Sequence, residues 1–147
     1  MSAPVRLDSI SPNLSESFRR ANSLQRRQAA LATSLLAISQ TELCGEEIDA
    51  ALAILRTGGS CDNTMRQKLE VLSEKFDEQY FRLNEGSDPA ANREALLFFR
   101  KARAAAALAF AVCSESETLH EAIYEAIIAS DDLADALRSA EIALRAN

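Results

Sequence analysis

A chain of 147 residues, 48% hydrophobic and 26% charged, has the size and composition of one folded domain and not of a disordered segment. Its net charge of −6 weighs against nucleic acid as a partner, because the summed field repels phosphates. Four Gly, three Pro and a dominance of Ala, Leu, Glu and Arg predict an all-α protein, a single-domain bundle of five or six antiparallel helices.

Residues 1–10 read as a flexible N-terminal lead and residues 11–147 as the helical domain. Ser11-Pro12 pairs an N-cap with the residue favoured at the first helical position. From there Leu14, Phe18, Ala21, Leu24, Gln28, Leu31, Leu35 and Ile38 recur at steps of three and four, predicting one long helix that ends by Gly45. Arg19, Arg20, Arg26 and Arg27 form two pairs seven apart, which such a helix would carry on one side as a candidate interaction surface. A short second helix buries Ile48, Leu52 and Leu55 and closes at Thr57-Gly58-Gly59-Ser60.

The third helix opens at Asp62-Asn63-Thr64 and carries a near-heptad seam of Met65, Leu69, Leu72, Phe76, Tyr80 and Leu83. Val71, Tyr80 and Phe81 add a second apolar line, a candidate surface for another helix. Asp88-Pro89 repeats the cap-and-proline start for a fourth helix running to Cys113. Its first half mixes Arg93, Glu94, Arg100, Lys101 and Arg103 with Leu96, Leu97, Phe98 and Phe99. Its second half holds seven Ala between Ala102 and Ala111 and predicts the central helix of the bundle, since a helix apolar all round is surrounded by protein. Ser114-Glu115-Ser116-Glu117 offers a capping box for a fifth helix with Leu119, Ile123 and Ile127. Ser130-Asp131-Asp132 can start a sixth, with Leu133, Leu137, Ala140 and Leu144 on one face and Ile142 as a second candidate contact. Whether these last two are separate or one kinked helix stays open.

Charge is laid out in blocks. Residues 1–40 and 89–113 each sum to +3, and residues 41–88 and 114–147 each to −6, which predicts that helices of opposite sign lie side by side. Cys44, Cys61 and Cys113 are odd in number and form no CxxC, which predicts buried free thiols in a reducing compartment. Met1 to Arg20 shows no cleavable signal, and the longest apolar run, Ala104 to Cys113, is far too short for a membrane span. A cytoplasmic protein without membrane contact is expected.

The chemistry-bearing patterns are few. Glu117-Thr118-Leu119-His120 matches one Glu-x-x-His element of the di-iron bundles, but those sites need two, and His120 is the only histidine. No G-x-S-x-G elbow and no glycine-rich phosphate loop occur. No cofactor, metal or catalytic set is expected. The expected function is therefore a non-enzymatic helical protein–protein interaction module, an adaptor, chaperone-like or regulatory protein, with a protein partner or a second copy in a homodimer. A small-molecule site beside the Ala-rich helix is the alternative from another class. The serines of the lead (Ser2, Ser9, Ser11, Ser15, Ser17) leave a bacterial secretion-system factor or substrate as a narrower variant.

Overall fold

Several helices begin where a side chain can accept from their first amides. The computed structural model describes residues 5–58, 63–86, 88–113 and 115–146, and among these it is all-α, with no strand. The helices are α1 (Leu7–Ile10), α2 (Pro12–Arg20), α3 (Ser23–Thr41), α4 (Glu46–Thr57), α5 (Asn63–Leu83), α6 (Pro89–Cys113), α7 (Leu119–Ala129) and α8 (Leu133–Arg145). Ser11 caps α2 through the Leu14 amide at 3.1 Å, Asp88 accepts from the Ala90 amide at 3.0 Å, and Asp132 caps α8 through the Asp135 amide at 3.0 Å.

The expected five or six helices become eight for two reasons. Residues 7–10 coil into a short helix whose Leu7 is fully buried, so the expected flexible lead is packed from Val5 onward. The long first helix breaks at Ala21-Asn22, both extended, because Asn22 and Gln25 form a reciprocal capping box with both bonds at 2.8 Å. The break re-aims the chain, and Leu24, expected on the buried stripe, is exposed. α3 then ends on Glu42 in the left-handed region, while Gly45 serves as N-cap of α4.

Ile48, Leu52 and Leu55 of α4 are buried as the spacing predicts, and Gly58 closes the helix at φ 68°. That left-handed φ is what favours glycine, and a Cβ there would meet only the movable tip of Arg27, Nη1 at 2.8 Å. The rest of that turn, with Cys61 and Asp62, lies outside the described residues. So does Ser114, and with it the expected capping box; a 3-10 turn, Ser116–Thr118, precedes α7, and Thr118 as its N-cap makes no side-chain cap bond. α7 and α8 are separate, divided at Ser130–Asp132.

The core gathers around α3, α7 and the second half of α6. Ala104, Ala105, Ala107, Leu108, Ala109, Ala111 and Val112 of α6 are buried, and the small side chains let α3 and α7 approach closely. Ala29, Ala30 and Ala37 of α3 face them, and the buried Thr33 and Thr41 hydroxyls donate to the Ala29 and Ala37 carbonyls at 2.8 Å. The Ala-rich helix is central here, but only from Ala102 onward.

α5 reaches that core through fully buried Leu69, with Met65, Leu72 and Phe76 packed against it, and only the rest of α5 beyond Phe76 and the first half of α6 lie apart. α5 packs along α6, and its only other substantial packing is against α4. Past Ser73 no residue of α5 is buried, and before Ala102 only Ala95 of α6 is. The two helices thus extend as an antiparallel arm, zipped by Phe76 on Phe98 (6.1 Å between ring centres) and Tyr80 on Phe99 (5.5 Å).

The thiols depart from expectation. Cys44 is free and exposed, and Cys113 is disulfide-bonded. Free buried sulfur is not what these two positions hold.

Candidate functional site

The arm carries half of the large exposed apolar side chains among the described residues, the others being Leu24, Phe110, Leu133 and Ile142. Val71 is 50% exposed and Phe81 65% on α5, and Leu96 and Leu97 are 45% and 38% exposed on α6. Tyr80 is half-buried, with its ring 5.2 Å from that of Phe81. Three of the sequence-predicted residues thus share α5, with Tyr80 and Phe81 in ring contact and Val71 about 15 Å away along the helix axis. Ile142, 65% exposed, stands on α8 and belongs to a different surface.

The four arginines do not form one patch. The break at Asn22 places Arg19 and Arg20 on α2 and Arg26 and Arg27 on α3. Arg19 binds Asp8 at 3.1 Å and Arg20 binds Glu16 at 3.0 Å. Arg26 folds inward, donating to the Phe18 carbonyl at 2.9 Å and lying 4.3 Å from the centre of the Phe18 ring. Arg19 and Arg20 thus spend their charge on nearby carboxylates.

Leu96 and Leu97 are the site residues that the sequence reading missed. The signal was present: Arg93, Leu96, Leu97 and Arg100 stand at i, i+3, i+4 and i+7, one stripe of a helix. It was hidden because Phe98 and Phe99, next in line, carry the packing against α5. Neither Arg93 nor Arg100 is in an ion pair among the described residues, nor are Glu74 and Glu78 of α5.

At the root of the arm the charge blocks meet. Arg103 on α6 reaches Asp77 on α5 at 3.0 Å and Glu125 on α7 at 3.2 Å, while Arg6 reaches Glu125 at 3.1 Å and also binds Glu121. Oppositely charged blocks are thus neighbours, as their alternation predicts. Glu125 is 3% exposed, so its carboxylate depends on both guanidiniums. Partial burial opposes the charge of Arg6, but the hydrogen bond to Glu121 and the field of Glu125 outweigh it and raise its pKa.

This network borders a cleft of about 390 Å³ whose walls include Ala106, Ala109 and Phe110 of the Ala-rich segment. Three arginines, Arg6, Arg66 and Arg103, face three glutamates, Glu70, Glu74 and Glu125, so the cleft holds no net charge to draw an anion. The Nε atoms of Arg66 and Arg103 are buried without a hydrogen-bond partner in the protein.

His120 sits elsewhere, in a cavity of about 180 Å³ shared with Ser15, Phe18 and Glu117. Its ring meets Phe18 edge to face at 5.6 Å, and Nδ1 lies 3.2 Å from Glu121 Oε1 without hydrogen-bond geometry. Burial is the main cause that holds its pKa below the ordinary value, with Glu121 opposing and Arg6 and Arg26 adding to the effect. Ser15 is buried inside α2, in regular helix and not on a strained turn, so the pair reads as packing between α2 and α7. No group of three or more His, Cys, Asp or Glu is placed to hold a metal among the described residues, and no described helix is long and apolar enough to cross a membrane. Compared with protein-family models, with curated proteins and with solved structures, the chain matches none.

Proposed function

We propose that the protein is a helical interaction module that works through its α5–α6 arm, self-associating there as a homodimer. The observation that carries this reading is the joint exposure of Val71, Phe81, Leu96 and Leu97 on two helices that project from the packed body. Apolar groups clustered on a protruding element mark contact surfaces, whereas scattered ones do not. An adaptor, chaperone-like or regulatory role is compatible with such an arm, and a secretion-system role is a narrower case of it. The disulfide at Cys113 supports oxidising surroundings and speaks against the reducing cytoplasm expected from free thiols.

Sedimentation velocity tests the reading. Wild-type protein should sediment faster as its concentration rises, and Leu96→Asp/Leu97→Asp should remain a monomer with unchanged helical circular dichroism. A wild type that stays monomeric throughout, or a variant that associates as the wild type does, would contradict it.

A second reading, a small-molecule site, is favoured by the cleft at the arm's root. Its apolar wall and the Arg103 Nε, buried without a hydrogen-bond acceptor in the protein, suit a ligand with an apolar body and one acceptor. Native mass spectrometry of freshly purified protein would reveal a retained molecule; a bare polypeptide mass would count against this reading.

A further inference from the structure

The outward stripe of α6 continues a core line that is left bare along the arm. Leu97, Ala104 and Ala111 stand seven apart on one side of the helix. Ala104 and Ala111 are packed in the core, while Leu97 is 38% exposed and Leu96 beside it 45%. Arg93 and Arg100 bracket the two leucines, and neither has a carboxylate partner among the described residues. A surface that covers this stripe must offer an apolar group set among acids. Of the large exposed apolar side chains among the described residues, Leu133, 53% exposed, is the one with carboxylates and no base within four residues. Asp131 and Asp132, just before it, are exposed, and neither is in an ion pair among the described residues. The Ser130 hydroxyl and the Asp131 amide both donate to Gln40 Oε1, at 2.8 and 3.0 Å, so this turn is held in place before any contact forms.

We infer that, in a dimer, the turn between α7 and α8 of one protomer seats on the α6 stripe of the other. Leu133 then covers the partner's Leu96 and Leu97, and Asp131 and Asp132 meet the partner's Arg93 and Arg100. The inference rests on the proposal that the arm is the contact surface. Arg93 and Arg100 stand about 10.5 Å apart along the helix axis with the leucines midway, so a single leucine with acids directly beside it matches the stripe in scale. Like surfaces do not suit one another. In either direction α6 against α6 sets arginine opposite arginine, because Arg93 and Arg100 are equally far from the leucine pair, and turn against turn gathers four aspartates. Made reciprocally, the contact uses each stripe and each turn once and closes on a two-fold axis.

Charge swaps give the test. Arg93→Glu/Arg100→Glu and Asp131→Lys/Asp132→Asn, in which asparagine keeps the cap of α8, should each weaken dimerisation at sedimentation equilibrium by about tenfold or more while helical content is unchanged. An equimolar mixture of the two should restore it, as a heterodimer seen in native mass spectra. One of its two contacts then pairs the swapped charges, and the other is wild type on both sides. Failure of the mixture to restore dimerisation, or a turn variant that dimerises as the wild type does while Leu96→Asp/Leu97→Asp abolishes it, would overturn this pairing and leave the arm as the contact surface. A wild type that never dimerises would overturn both.

Discussion

Arg103 Nη1 lies 3.2 Å from the buried carboxylate of Glu125, and its Nη2 lies 3.0 Å from Asp77 on the neighbouring helix. One guanidinium thereby ties the arm to the body. Replacing Arg103 by Met should lower stability by about 3 kcal/mol, since Glu125 keeps only Arg6 and breaking one partner of a buried pair costs about 3–5 kcal/mol. Arg103→Met/Glu125→Met should recover most of the loss, because no buried charge is then left uncompensated. Urea denaturation measures both, and a single variant as stable as the wild type would show the pair to be dispensable.

His120 gives the protein an expected loss of stability in mild acid. Its folded pKa lies below the unfolded value of 6.5, chiefly through burial, so the unfolded chain binds the proton more readily. The contribution is fully present above pH 6.5 and is lost as the pH falls through the lower folded value. The groups around the ring are Glu121 beside it, Glu117 and Arg19 at the cavity, and Arg6 and Arg26. Thermal melts from pH 8 to 5 should slope downward, and His120→Phe, which preserves the edge contact with Phe18, should flatten that slope. An equally steep slope in the variant would assign it to other groups.

Much of this fold was legible in the chain. Ser11-Pro12 and Asp88-Pro89 start helices where expected, Gly58 stops one, and Ile48, Leu52 and Leu55 are buried at their predicted spacing. The Ala run from Ala102 found the centre, because burial on every side leaves a composition that no surface helix has. The break at Asn22 was not legible, since the three-and-four periodicity runs straight across it and a local capping box overrode it. The arm was not legible either. Phe76 and Tyr80 read as seam positions and Phe98 and Phe99 as part of an amphipathic half-helix, and only the tertiary arrangement shows that Phe76 stacks on Phe98 and Tyr80 on Phe99. The candidate surface was half found: α5 gave Val71 and Phe81, while Leu96 and Leu97 were read only as the apolar share of an amphipathic half-helix.

Asn22→Ala checks the account of the break. The Gln25 amide loses its side-chain acceptor while the residue-22 amide can still donate to Gln25 Oε1, and stability should drop by about 1 kcal/mol. Amide exchange at Gln25 and Arg26 should speed up more than at Thr33. Unchanged exchange there would mean that packing alone sets the boundary.

The disulfide at Cys113 makes a separate demand. A peptide containing Cys113 should be alkylated only after reduction, whereas Cys44 should be alkylated in the unreduced protein. Reduction should lower stability by about 2–4 kcal/mol, and Cys113→Ser should be insensitive to reductant. Ready alkylation of Cys113 without reductant would restore the reading of free thiols.

Hydrogen–deuterium exchange at low and at high protein concentration tests most directly whether the arm is where this protein makes contact. Raising the concentration should slow exchange in residues 70–83 and 92–101 and leave α3, α7 and the Ile142 face of α8 unchanged. Protection gained around Ile142 instead, or no change anywhere while the protein associates, would contradict the arm as the contact surface.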